Sequence, residues 1–163
     1  MAISRIGDAG LPAGSVLQVV QTVKKDTFST TSTSFVDITG LSVAITPSST
    51  SNKILILVQL QNNATYTYAK FFNLVRGSTS ILVADTGESN QTESSVYSRD
   101  EAFGEVTPLV FLDSPSATSE QTYKMQGSVQ SGASLTINYT QSNINAAYIG
   151  RGTSTITAME IAG

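Results

Sequence analysis

Two neighbouring runs decide the fold: Leu41-Ser42-Val43-Ala44-Ile45-Thr46-Pro47 and Lys53-Ile54-Leu55-Ile56-Leu57-Val58-Gln59-Leu60-Gln61. In the first, Leu41, Val43 and Ile45 share one face of a strand, because successive strand side chains point to opposite sides. In the second, Ile54, Ile56, Val58 and Leu60 line one face, while on the other Leu55 and Leu57 give way to Gln59 and Gln61. The first half of that strand therefore reads as buried on both faces. Ser48 to Asn52, between the two runs, is a turn-rich loop.

Working outward, the same pattern of short β-type runs and turn residues continues in both directions. Ser15 to Val23 comes first, followed by the Thr-rich run Phe28 to Ile38. Beyond Gln61, Tyr66 to Val75 and Ser80 to Ala84 flank the turn Arg76-Gly77-Ser78-Thr79 and read as a hairpin. Asp85 to Asp100 is polar and reads as a long loop with a short strand near Val96 and Tyr97. Gly104 to Leu112, Gln121 to Gln130, Ser134 to Thr140 and Thr153 to Ile161 complete the set, with Pro108 marking an edge strand or a bulge. No segment keeps a helical period over three turns, and no repeat of solenoid or propeller length is present. Roughly ten strands predict an all-β chain, an antiparallel β-sandwich or jelly roll. Residues 15–163 form this domain. Met1 to Gly14, with Gly7, Gly10, Pro12 and Gly14 among isolated apolar residues, reads as an extended N-terminal arm that docks on a partner through Ile3, Ile6 and Leu11.

The composition narrows the function. Apolar residues make up 40% of the chain and charged residues only 13%, so Ser, Thr, Asn and Gln must cover the surface. With a net charge of −3, little charge repulsion guards against self-association, which favours a chain that works inside an assembly. The nine Lys and Arg are scattered and form no basic stripe, which argues against nucleic acid as a partner. The first residues hold no apolar core of signal-peptide length, and Ile54 to Val58 is far too short to span a bilayer, so synthesis in a cytoplasm without membrane insertion is expected.

Chemistry has few carriers. The sequence contains no Cys and no His, which removes disulfides, thiolate chemistry, the commonest metal ligand and the side chain that titrates near neutrality. A hydrolase would need paired carboxylates, drawn from Asp85, Glu88, Glu93, Asp100, Glu101 and Glu105, and these read as solvated loop charges. Asp85 to Asn90 lacks the spacing of a calcium loop, and Gly150-Arg151-Gly152 is a turn before the last strand rather than a phosphate cradle. The reading is a non-enzymatic chain without cofactor, metal or catalytic residues. Tyr66, Tyr68, Tyr97, Tyr123, Tyr139 and Tyr148 stand out, because tyrosine beside Asn and Gln forms rigid amphipathic contact surfaces. Tyr148, with Asn143 and Asn145 in the loop Gln141 to Gly152, is the candidate receptor contact.

Gly14 to Thr22, Asp26 to Ser32 and Leu41 to Leu57, with its core Ile45-Thr46-Pro47-Ser48-Ser49-Thr50-Ser51-Asn52-Lys53-Ile54-Leu55, resemble a family of small bacteriophage virion proteins. The likeness extends to Leu112-Asp113-Ser114-Pro115 and to Thr155 through Ile161. Proteins of this kind, common among aquatic and cyanobacterial phages, are often labelled tail-fibre proteins. The resemblance implies an exterior virion component, a homotrimer attached through its N-terminal arm to other virion proteins of the tail, baseplate or capsid, with a host surface glycan as a possible receptor. A capsid decoration protein that strengthens the head shell is the alternative, and a glycan-degrading enzyme the third. The family supplies no catalytic motif.

Overall fold

The described residues form eleven strands: β1 (Val16–Lys24), β2 (Phe28–Thr30), β3 (Val36–Ile45), β4 (Lys53–Ala64), β5 (Ala69–Arg76), β6 (Thr79–Leu82), β7 (Val96–Arg99), β8 (Glu105–Asp113), β9 (Gln121–Val129), β10 (Leu135–Ile137) and β11 (Ser154–Ile161). The structure, a computed structural model, describes residues 11–64, 68–99, 104–140, 145–147 and 149–163.

The strands build two antiparallel sheets. In the first, β4 carries β8 along one side, from Ile54 opposite Asp113 to Asn62 opposite Glu105. Its other side is shared by β11, along Lys53 to Gln59, and β10, along Asn62 to Ala64; β1 and β2 lie beyond these two. In the second, β9 pairs with β3 on one side and β5 on the other, and the far side of β5 is divided between β6 and β7.

The pairings nest: β1 with β11, β3 with β9, β4 with β8, β5 with β6 and β7. This is one long antiparallel ribbon, closed at the β5–β6 turn and rolled so that these rungs alternate between the two sheets, with the short β2–β10 rung staying beside β1–β11 in the first. That arrangement is the jelly roll, the second of the two architectures the strand count allows. The alternating residues fill the space between the sheets as expected, with Leu41, Val43 and Ile45 meeting Ile54, Ile56, Val58 and Leu60 in one buried cluster. Phe72, Leu74, Tyr123, Met125, Leu135, Ile137, Ile156 and Ala158 complete it.

Local chemistry divides the Thr-rich run differently from its periodicity. Phe28 to Ile38 is not one strand, because β2 belongs to the first sheet and β3 to the second. The Ser32 hydroxyl donates to Ser34 O at 2.6 Å and accepts from Ser34 N at 3.1 Å, while Thr30 Oγ1 accepts from Ser32 N. These hydroxyls take backbone groups that a ladder would need, so the chain turns a corner there. Conversely, β3 passes through Gly40 without ending. Gly40 adopts φ +79°, and the register shifts between Asp37 and Ser42, the mark of a bulge. The expected strand Ser134 to Thr140 shrinks to β10 because Asn138 takes φ +68°. Its side chain donates to Lys24 O and Asp26 O, both at 2.9 Å, and accepts from Ser154 Oγ at 2.7 Å.

Buried charges tie the sheets together. Asp113 on β8 accepts from Arg76 Nη1 at 2.6 Å and from Tyr123 Oη at 2.7 Å, both from the opposite sheet. Burial, the hydrogen bond to Asp113 and that carboxylate's charge push the Tyr123 phenol well above its ordinary value. Near the other margin, Glu160 accepts from Asn52 Nδ2, Ser48 N, Ser48 Oγ and Gln18 Nε2 at 2.6 to 2.8 Å.

Candidate functional site

Alternation along β1, β11, β4 and β8 leaves a second face pointing away from the core. The register sets its side chains in rows: Val19, Met159, Leu55 and Leu112; then Gln21, Thr157, Leu57 and Val110; then Val23, Thr155, Gln59 and Pro108. None of these twelve is charged. Among the described residues eight large apolar side chains are exposed, and six of them, Val16, Val19, Val23, Val106, Val110 and Leu112, belong to the edge strands of this face. Val110 is 66% exposed, more than any other aliphatic residue in that group. Leu55 and Leu57, expected to be buried on their second face, are only half-buried. Contiguous apolar surface of this kind on a soluble domain marks an interaction site.

The outer face of the other sheet is of opposite character. Asp37 accepts from Lys124 Nζ and from Gln126 Nε2, both at 2.7 Å, across the β3–β9 ladder. Those hydrogen bonds, with Lys124 the stronger, hold the Asp37 carboxyl below its ordinary range. This β3–β9 part of the face is charged and solvated, so the two faces of the sandwich are not equivalent. The free edge of β8 carries Pro108, which has no N–H to offer an incoming strand. The β4–β8 register is unbroken past Pro108, so the proline marks an edge and not a bulge.

The candidate residues at the ends of the fold fall on two sides. Gly14 N donates to Ala162 O at 2.8 Å and Ala162 N to Ser15 O at 2.9 Å, which fixes the root of the arm at the C-terminal end of β11. Leu11 is half-buried near that root; Ile3 and Ile6 lie outside the described residues. The connection from β10 to β11 leaves at the other end of the sheet, where Asn138 N donates to Gln61 O and Gly152 N to Asn138 O. The eight residues of β11 separate arm root and loop by roughly 25 Å at 3.3 Å per residue. Asn145 is exposed in that loop, whereas Asn143 and Tyr148 lie outside the described residues. At the loop's base the Arg151 guanidinium sits over the Tyr139 ring, 5.8 Å from its centre.

Among the described residues the candidate carboxylates fall in two places. Asp85, Glu88 and Glu93 are exposed, and Glu93 accepts from Gly87 N at 3.2 Å. Glu105 lies 3.3 Å from the buried Lys70. Burial raises its pKa, but hydrogen bonds from Ser98 and Thr107 and the charge of Lys70 outweigh this and leave the group below its ordinary value. Asp100 and Glu101 lie outside the described residues. Among the described residues no three acidic side chains converge as metal ligands would.

No protein-family model matches the chain, and no curated protein is significantly similar to it.

Sequence reasoning missed the outer sheet face. The signal was present in Val106 to Leu112 and Val16 to Val23, where apolar residues occupy both strand faces although an edge strand has only one inner face to fill.

Proposed function

We propose that this chain is a non-enzymatic structural module of a bacteriophage particle, an exterior component of the tail-fibre type that assembles as a homotrimer and is anchored at its arm end. The observation that carries the assembly reading is the uncharged outer face of β1, β11, β4 and β8. Its natural occupant is a second copy. A face without charge offers nothing to a charged partner and meets no like-charge penalty against itself. The three uncharged rows, four strands about 4.8 Å apart and some five residues long at about 3.3 Å, project to roughly 300 Å² before corrugation is counted, the centre of an interface whose stable form buries ≈ 800 Å² per partner; Lys53, opposite Ile161, bounds them at one end. Edge-to-edge pairing is opposed at β8 by Pro108.

The virion setting is supported by the resemblance of Gly14 to Thr22, Asp26 to Ser32 and Leu41 to Leu57 to small phage virion proteins. The geometry is compatible in one further respect, since the arm root and the loop from β10 to β11 lie at opposite ends of the same sheet. One end can be fixed to a particle while the other is presented outward.

The test is immunogold labelling of phage particles from the lysate that yields the protein. Labelling at the tail is expected. Labelling across the head would replace the tail-fibre reading by capsid decoration, and particles free of label would overturn the virion reading altogether.

A further inference from the structure

Between β6 and β7 the chain makes an excursion, residues 83–95, that folds back against the outer side of β5. It leaves a cleft of about 570 Å³, lined by Phe71, Ala84, Asn90, Gln91, Thr92, Ser94, Ser95, Val96 and Tyr97. We infer that this cleft binds a neutral saccharide, with Tyr97 as its stacking platform.

Three observations carry the inference. First, the floor is aromatic: Phe71 and Tyr97 stack at 6.3 Å with 27° between their planes, and Tyr97 is 67% exposed. An exposed flat ring beside a second, nearly parallel ring presents a π-surface suited to the C–H face of a pyranose. Secondly, the wall supplies amide and hydroxyl groups from Asn90, Gln91 and Thr92. Gln91 Oε1 already accepts from Glu88 N at 3.0 Å, so its NH₂ is the group it can offer. All three side chains are exposed and can exchange water for sugar hydroxyls. Thirdly, the lining contains no Lys, Arg, Asp or Glu. A phosphate or an acidic sugar would find no cation there, and a wholly apolar ligand would strand the three polar side chains. The volume lies in the range of small-molecule sites and accommodates a short oligosaccharide.

The neck of the excursion is fixed in place. Ser95 N donates to Phe72 O at 2.9 Å and to Asn73 Oδ1 at 3.0 Å, while Ser95 Oγ accepts from Leu74 N at 2.8 Å and donates to Leu82 O. Ala84 N donates to Ser94 O at 3.2 Å, closing the neck of the excursion. The cleft belongs to the second sheet, so covering the uncharged face of the first leaves it open. The inference does not depend on the virion reading, although it would give that reading its receptor chemistry.

The experiment is titration of the isotope-labelled chain, followed by amide chemical shifts, with neutral mono- and disaccharides of gluco, galacto, manno and N-acetylamino configuration. At least one should shift the amides of Phe71, Ala84 and residues 90–97. Tyr97→Ala should weaken that binding at least tenfold with an unchanged melting temperature, and Tyr97→Phe should retain it. Shifts from none of the panel, shifts mapping elsewhere, or binding indifferent to Tyr97→Ala would overturn the assignment.

Discussion

Replacing Val110 by lysine puts one charge at the middle of the uncharged face, opposite Leu57 in the β4–β8 ladder. In the isolated chain the substitution is mild. Val110 is 66% exposed, and a surface change in a strand away from the core shifts stability by about 0.5 kcal/mol or less. In an assembly that covers this face the balance is different. Burying valine contributes roughly 1.5 kcal/mol. An unpaired ammonium in its place adds a desolvation penalty of several kcal/mol, because no acidic group stands in the neighbouring rows to receive it. Even a partial cost of about 3 kcal/mol per contact raises the dissociation constant roughly a hundredfold. Sedimentation velocity across a concentration series, with far-ultraviolet circular dichroism as the check on folding, should show a folded Val110→Lys monomer. A variant that keeps the assembly state and affinity of the parent chain would refute the assignment of this face.

Glu160 should govern part of the acid limb of stability. Burial raises its pKa, but the donors Asn52, Ser48 and Gln18 bring it below the ordinary 4.5. Its contribution is therefore complete above about pH 4.5 and disappears as pH falls through the lower folded value. Glu160→Gln keeps one acceptor oxygen but turns an NH₂ toward Gln18, so urea unfolding at neutral pH should lose about 1–2 kcal/mol and the acid dependence should flatten. An unchanged acid limb would contradict this. Gly127 sits where an added Cβ would lie 2.7 Å from Leu135 Cδ2 and 3.5 Å from Ile38 Cδ1, between the sheets. Gly127→Ala should cost about 1–3 kcal/mol by overpacking, and a melting temperature equal to the parent's would show that the core gives way more easily than argued. Pro108→Val restores an N–H on the free edge of β8, so aggregation measured by light scattering should rise with little change in unfolding; unaltered solubility would remove the proline from its guarding role.

The readability of the chain followed the reach of each interaction. Leu41, Val43 and Ile45, and Ile54 through Leu60, were assigned to a core face from alternation alone, because a period of two leaves one choice of inner side. The corner at Ser32 and the bulge at Gly40 were not legible, since both turn on which hydroxyl or glycine takes a backbone group from the ladder. Pro108 did reveal the edge, because a missing donor is tolerated only there. The functional surfaces were harder. Leu55 and Leu57 read as buried on both sides, but alternation cannot tell whether this chain or another copy covers the second side. The Tyr97 cleft was hidden for a related reason. Phe71 and Tyr97 are 26 positions apart in sequence, and only the β5–β7 register sets them side by side. Glu160, Ser48 and Gln18 likewise come from three distant segments, so their network had no local signature.

The most direct test of the central claim is the mass of the unmodified chain in solution, measured by sedimentation equilibrium at micromolar concentration. Assembly through the uncharged face predicts a particle heavier than the 17.2 kDa chain, and the homotrimer proposed from the phage resemblance sets it at three times that mass. A monomer that persists at the highest soluble concentration would contradict it.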